Sequence, residues 1–286
     1  MLGTGSHWPT RTAVPSDGAR RRPAIRVRDR PSTIGFRDRW YRPLALGLAL
    51  LTLAVGAALL AAFWPANAIH VGDDLDHYLD GVRRWWLTGS PYLPQEVAGP
   101  FDYEVETFLH PPVAIPFLAL WLVLPAVLWW AIPLGFTAIL VIAWRPAPWT
   151  WPLIAFGLAQ PQLHQALLWG NSNLWVMAGL GLGLAYGWPA ALILLKPSLG
   201  ILALVGAPRH AWWLVAGVVV LASIPFGTLW GAWVRVVLNS PAEADYGLRN
   251  LPWVAIPLIA WAGRTRSTAA LYRSARSTDP TLAGPS

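Results

Sequence analysis

The chain has 286 residues, of which 55% are hydrophobic and only 12% charged, with a net charge of +7, 20 Trp, 27 Pro and no Cys. Charged residues supply about a quarter of a typical soluble domain, so this deficit, with a mean hydropathy of +0.44, excludes an ordinary soluble globular protein. The lack of Cys excludes a disulfide framework, a thiolate metal site and a Cys nucleophile.

The charges are sorted along the chain. Ten Arg lie between Arg11 and Arg42, in a stretch rich in Pro, Ser, Gly and Thr that has too little apolar surface to fold alone. Residues 1–42 are therefore expected to be a disordered, Arg-rich cytoplasmic tail. It lacks the interleaved aromatics of a nucleic-acid-binding segment and runs directly into an apolar stretch, so contact with anionic membrane lipids is expected and nucleic acid is not. Eight of the 14 acids fall between Asp73 and Glu106, and residues 107–242 contain none. The positive-inside rule puts the Arg tail in the cytoplasm and the acidic loops outside.

In chain order, residues 43–64 are uncharged and long enough to span a bilayer, and read as an uncleaved anchor. Residues 65–110 form a first outer loop. The uncharged run 111–144 is too long for one span, and Leu124-Pro125 suggests a turn between two helices, the first one short. Further candidate spans are 149–167, 171–187, 188–206 and 211–228, followed by an outer loop at 229–250 and a short apolar segment at 251–262. The fold class is thus an all-α polytopic membrane protein with about eight transmembrane helices, within a range of six to ten. Residues 43–262 form the membrane domain and 263–286 a second disordered cytoplasmic tail. On this layout both termini are cytoplasmic, Arg209 is inside, and Arg145 falls on the outer side.

Residues 73–87 of the first loop have helical periodicity. Leu75, Tyr78, Leu79, Val82, Trp85 and Trp86 fall within an arc of about 120°. This predicts an amphipathic helix lying in the membrane interface, capped by Asp73 and carrying an exposed Asp80–Arg84 pair. Asp74 borders the apolar arc beside Tyr78, where partial desolvation makes a carboxylate a better base. Asp76 and His77 lie on the wet face. Asp73, Asp76, His77 and Asp80 share that face and offer a rival, metal-binding reading. His110, before Pro111-Pro112, reaches the membrane surface as a possible donor.

Lys196 is the only Lys and falls near the middle of its predicted span, before Pro197, which frees the Ile193 carbonyl. A charge at that depth usually has a partner or a function, here phosphate binding. Asn173 stands near a helix start, and Arg249 in the second outer loop could clamp a phosphate.

The motifs come in a recognisable order. Asp74-x-x-x-Tyr78 follows the first span, then Gly89-Ser90-Pro91-Tyr92, His110-Pro111-Pro112, the step from Gly170 to Asn173, and Lys196-Pro197. This order resembles glycosyltransferase family 87, polytopic GT-C enzymes similar to polyprenol-phosphate-mannose-dependent mannosyltransferases, over about residues 44–260. The resemblance implies transfer of a sugar from a polyprenyl-phosphate donor to an acceptor hydroxyl outside the cytoplasmic membrane, with inversion. It implies Asp74 as general base, with Asp76 in reserve, and no cofactor or required metal. Lys196, Arg249 and Arg83 would neutralise the lipid phosphate, and Tyr78, His110 and Asn173 would complete the substrate site. Two departures stand out. His110 replaces the usual aromatic before the Pro-Pro step, and the chain is shorter than is common in the family. The alternative is a non-catalytic membrane protein, either a lipid or sugar carrier or a degenerate subunit working with a partner membrane subunit.

Overall fold

The computed structural model describes residues 37–67, 71–101, 107–240 and 248–265. Both predicted tails, apart from a few residues at their inner ends, and the acids Asp102, Glu104, Glu106, Glu243 and Asp245 lie outside the described residues. The described chain is helical throughout. It begins with α1 (Arg37–Asn67), α2 (Asp73–Thr88), α3 (Pro94–Ala98) and α4 (Ile115–Ala119), the last flanked by short 3-10 turns. Then come α5 (Val127–Trp144), α6 (Trp151–Leu158), α7 (Pro161–Trp169) and α8 (Asn173–Tyr186). Two 3-10 helices, Trp188–Leu195 and Pro197–Gly206, meet at Lys196 and lead to α9 (His210–Ser223) and α10 (Gly227–Asn239). The last elements are α11 (Leu251–Val254) and α12 (Ile256–Ala262). Three stretches are long and apolar enough to cross a membrane: Tyr41–Ala62, Val127–Trp144 and His210–Asn239. Their side chains are mostly unburied by protein, as expected of helices that face lipid.

Several boundaries differ from expectation. The span predicted at 149–167 is two helices broken at Gln160-Pro161, because Pro161 cannot donate to the ladder. The outer loop predicted from 229 is helical through Asn239. Lys196 does not sit inside a continuous helix; φ −129° and ψ 85° place it at a break. The Ile193 carbonyl is not free there, since Lys196 N–H donates to it at 2.9 Å in 3-10 fashion.

Helix α2 forms where the periodicity predicts, but its apolar arc faces protein. Leu75, Tyr78, Leu79 and Val82 join a core with Phe108, Ile115, Leu118 and Trp129, leaving Trp86 exposed at the helix end. Burying each aliphatic side chain is worth roughly 1.5–3 kcal/mol, so the protein interior competes successfully with the membrane interface for this face. Gly81 is required there, since a Cβ would collide with the Phe108 ring. Gly72, in the left-handed region at φ 89°, occupies the N-cap position predicted for Asp73. Arg83, not Arg84, pairs with Asp80, at 2.6 Å, while Arg84 donates to the Pro91 carbonyl at 2.6 Å.

A second core joins α5, α8, the two 3-10 helices, α9, α11 and α12, around Trp144, Leu180, Ala190 and Trp253. Close approach sets its residue types, as where Gly183 abuts Ala190. Helix α1 docks on α6 in the same way, with Gly56 against Ala159.

The ends of the bundle differ in charge. The Trp129 indole donates to the Gly170 carbonyl at 2.6 Å, and Leu140 lies against Gly181, so α5 and α8 run in the same direction. Where they finish, Arg209 donates to the Gly183 carbonyl at 2.9 Å, and Arg264 pairs by its backbone with Pro146 beside Arg145. Arg145 therefore shares an end with Arg264, contrary to the expected layout. The cause is the 112–122 segment, which follows directly on His110-Pro111 and ends with Trp121 against Trp129, at 5.1 Å between rings. Both its ends lie at the Asp74 end of the bundle.

Candidate functional site

The start of α8 gathers side chains from four separate parts of the sequence. Gly170, left-handed at φ 74°, turns the chain from α7 into α8, and Gly72 N–H donates to the Leu168 carbonyl at 2.9 Å. Together these place Asp74 beside Asn171. Asp74 is buried, and its Oδ2 accepts from Asn171 Nδ2 at 2.6 Å and from the Tyr78 hydroxyl at 3.4 Å. Lys196 Nζ donates to Ser172 Oγ at 2.8 Å and to Asn171 Oδ1 at 3.3 Å. Ser172 Oγ lies 3.4 Å from His110 Nε2. The His110 ring meets Tyr78 edge-on with centroids 4.5 Å apart.

The electrostatics favour a neutral imidazole. Burial, reinforced by the Lys196 charge, lowers the His110 pKa to about 3. Ser172 Oγ, accepting from Lys196, can donate its own hydrogen to His110 Nε2 when the ring carries its proton on Nδ1. His110, Ser172 and Lys196 stand at one end of a cavity of about 490 Å³. Its wall runs along α8 through Trp175, Gly179, Leu182 and Tyr186, a distance of about 16 Å. Lys196 is the one charged side chain among its described lining residues. An apolar slot headed by a cation, a hydroxyl and an imidazole suits a long apolar molecule with an anionic head.

Of the residues selected from sequence, Asp74, Tyr78, His110 and Lys196 come together here. Asn173 is buried beside them, but it contributes its backbone N–H, which donates to Asn171 Oδ1 at 2.9 Å. Asp76 is exposed, and Arg83 points to Asp80. Arg249 is exposed on a 3-10 turn, Leu248–Asn250, that packs against α7 rather than lining the cavity. Among the described residues no three of the His, Asp and Glu side chains lie close enough to hold one metal ion. Asn171 and Ser172 were passed over in the sequence. The available signal was polar residues directly after a Gly and before an apolar helix, a place where they can face a site instead of capping.

A second buried acid supports the segment that carries His110. Glu96 Oε2 accepts the Leu93 N–H at 2.9 Å, and Asn239 Nδ2 donates to the Glu96 carbonyl at 2.9 Å. The Tyr92 hydroxyl donates to the His110 carbonyl at 2.9 Å. Burial raises the Glu96 pKa, against the lowering effects of its hydrogen bonds and of Arg84. The folded protein then binds this proton more tightly than the unfolded chain. Its contribution to stability is full below the ordinary value of 4.5 and is lost as pH rises through the raised one. Thermal unfolding should therefore show a decline of wild-type stability over that window that is absent in Glu96→Gln. Parallel curves for the two proteins would refute it.

The described residues thus define a helical protein with three helical stretches long and apolar enough to cross a membrane and a buried polar cluster at the head of an apolar cavity. No family model matches the chain, and no curated protein or solved structure matches it either.

Proposed function

We propose that the protein is a membrane glycosyltransferase that moves a sugar, mannose as the first candidate, from a polyprenyl-phosphate donor to an acceptor hydroxyl. The observation that carries this reading is the meeting of Asp74 and Lys196 on Asn171, with Lys196 and Ser172 lining one end of a long apolar cavity and Asp74 behind Asn171, outside that lining. The prenyl chain would lie along α8 and the phosphate at Lys196 and Ser172. Asp74 would take the proton of the acceptor hydroxyl as its oxygen bonds to the sugar's anomeric carbon from the face opposite the leaving group. The carbon–oxygen bond to the phosphate breaks, the phosphate keeps the electron pair, and Lys196 balances the charge that develops there. No cofactor is needed for this chemistry.

Our reading of the topology is GT-C-like with eight passes: α1, α5, α6 with α7, α8, each 3-10 helix, α9, and α11 with α12. This differs in detail from the layout expected from hydropathy, since 111–144 supplies one pass and 188–206 supplies two. The arginine end would be cytoplasmic and the Asp74 end extracytoplasmic, in keeping with the positive-inside rule.

The test is purified protein in nanodiscs with undecaprenyl-phosphate mannose and a panel of membrane glycolipid acceptors, analysed by mass spectrometry. Mass gain of one hexose on an acceptor, with release of undecaprenyl phosphate, is the expected result. Donor binding without transfer to any acceptor would favour a lipid carrier or a subunit of a glycosylation complex.

A further inference from the structure

We propose that Asn171 is a positioning residue that aims Asp74 and couples its charge to Lys196. Asn171 Oδ1 accepts from two donors, Lys196 Nζ at 3.3 Å and Asn173 N–H at 2.9 Å, while Nδ2 donates to Asp74 Oδ2 at 2.6 Å. A flip of the amide would set its NH₂ against both donors and its oxygen against the carboxylate, so only one orientation is compatible with the site. The backbone under it is fixed as well. Asn171 N–H donates to the Ala166 carbonyl at 2.9 Å, and the Trp129 indole holds the neighbouring Gly170 carbonyl.

One rigid amide therefore bridges the carboxylate and the ammonium. An ionised Asp74 pulls on the amide N–H and a protonated Lys196 on its C=O, so each charge favours the other through the same group. An anion seated at Lys196 draws the ammonium away from Oδ1. Asp74 then loses part of the pull that keeps it ionised and becomes a stronger base when the anion is in place. By linkage, Asp74 in turn affects anion affinity by the same factor. The titratable and charged groups around Asp74 are Asp73, His77 and Tyr78 on α2, His110 just before the 3-10 turn at Pro112, and Lys196. Of these, only Lys196 reaches Asp74 through Asn171. The proposal rests on the glycosyltransferase reading only for the nature of the anion.

Infrared difference spectra of wild type minus Asp74→Asn in nanodiscs isolate the Asp74 carboxyl band, and its pH titration needs no turnover. Loss of a hydrogen bond to a charged group should move the midpoint upward by about one pH unit or more in Asn171→Leu. Asn171→Ala, which removes the amide without adding bulk, should give the same direction. Undecaprenyl phosphate should also raise the wild-type midpoint, and raise it clearly less in the two variants. Unchanged midpoints in folded variants overturn the proposal, and failure of both variants to fold overturns it in favour of a purely structural role. If the variants shift but undecaprenyl phosphate leaves wild type unmoved, the positioning role stands and the lipid-phosphate reading of Lys196 falls.

Discussion

Asp74→Asn should abolish sugar transfer, with a fall of about 10²–10⁴-fold, the range usual for a positioned general base. Donor binding should be retained and, through the Asn171 bridge to Lys196, should strengthen modestly rather than weaken. The substitution is close to isosteric, and a carbonyl oxygen in place of Oδ2 can still accept from Asn171 Nδ2 and Tyr78. The meeting of α2 with α8 therefore stays intact while the proton acceptor is gone. The measurement is initial rate against donor concentration, which separates kcat from KM. A variant with undiminished kcat would remove Asp74 from the chemistry, and Asp76→Asn would then be examined, although Asp76 is exposed to solvent.

Lys196→Met should lower affinity for undecaprenyl phosphate by about 10- to 100-fold, equivalent to the roughly 1.5–3 kcal/mol of a hydrogen bond to a charged group. Methionine keeps the unbranched length, so the head of the cavity stays filled. Trp175 lines the cavity and its fluorescence can report occupancy. Equal quenching curves for wild type and Lys196→Met would show that the phosphate is held elsewhere. Ser172→Ala should have a smaller effect in the same assay, because Ser172 relays between Lys196 and His110 without carrying charge.

Much of the architecture could be read from where charges are missing. The helical run 73–88 and the unusual place of Asp74 follow from a period of 3.6 residues, which shows which side chains share a face. Periodicity does not show what covers that face. Phe108, Ile115 and Trp129 compete with lipid headgroups for the same arc, and only tertiary packing decides between them. Hydropathy likewise marks 188–206 as apolar but is blind to backbone winding, so Lys196 looked central in a span when it stands at a break. The extension of α10 through Asn239 was present as Trp230, Trp233 and Val237 at helical spacing, and the expectation of a loop concealed it. Asn171 differs again. Its importance comes from a meeting of α2, α8 and the 3-10 break, and its place directly after Gly170 is the only local feature that sets it apart from Asn173.

The two 3-10 helices on either side of Lys196 act as a ruler. Each residue in this winding advances about 2.0 Å and turns the chain by about 120°, against 1.5 Å and 100° in an α-helix. The eight residues of Trp188–Leu195 carry the chain from Gly187, at the far end of α8, back to Ser172 at its start. Adding or deleting one of them would shift the ammonium by more than half a hydrogen-bond length and point it to a different wall. The number of residues between Gly187 and Lys196 is therefore as much a part of the site as the lysine itself.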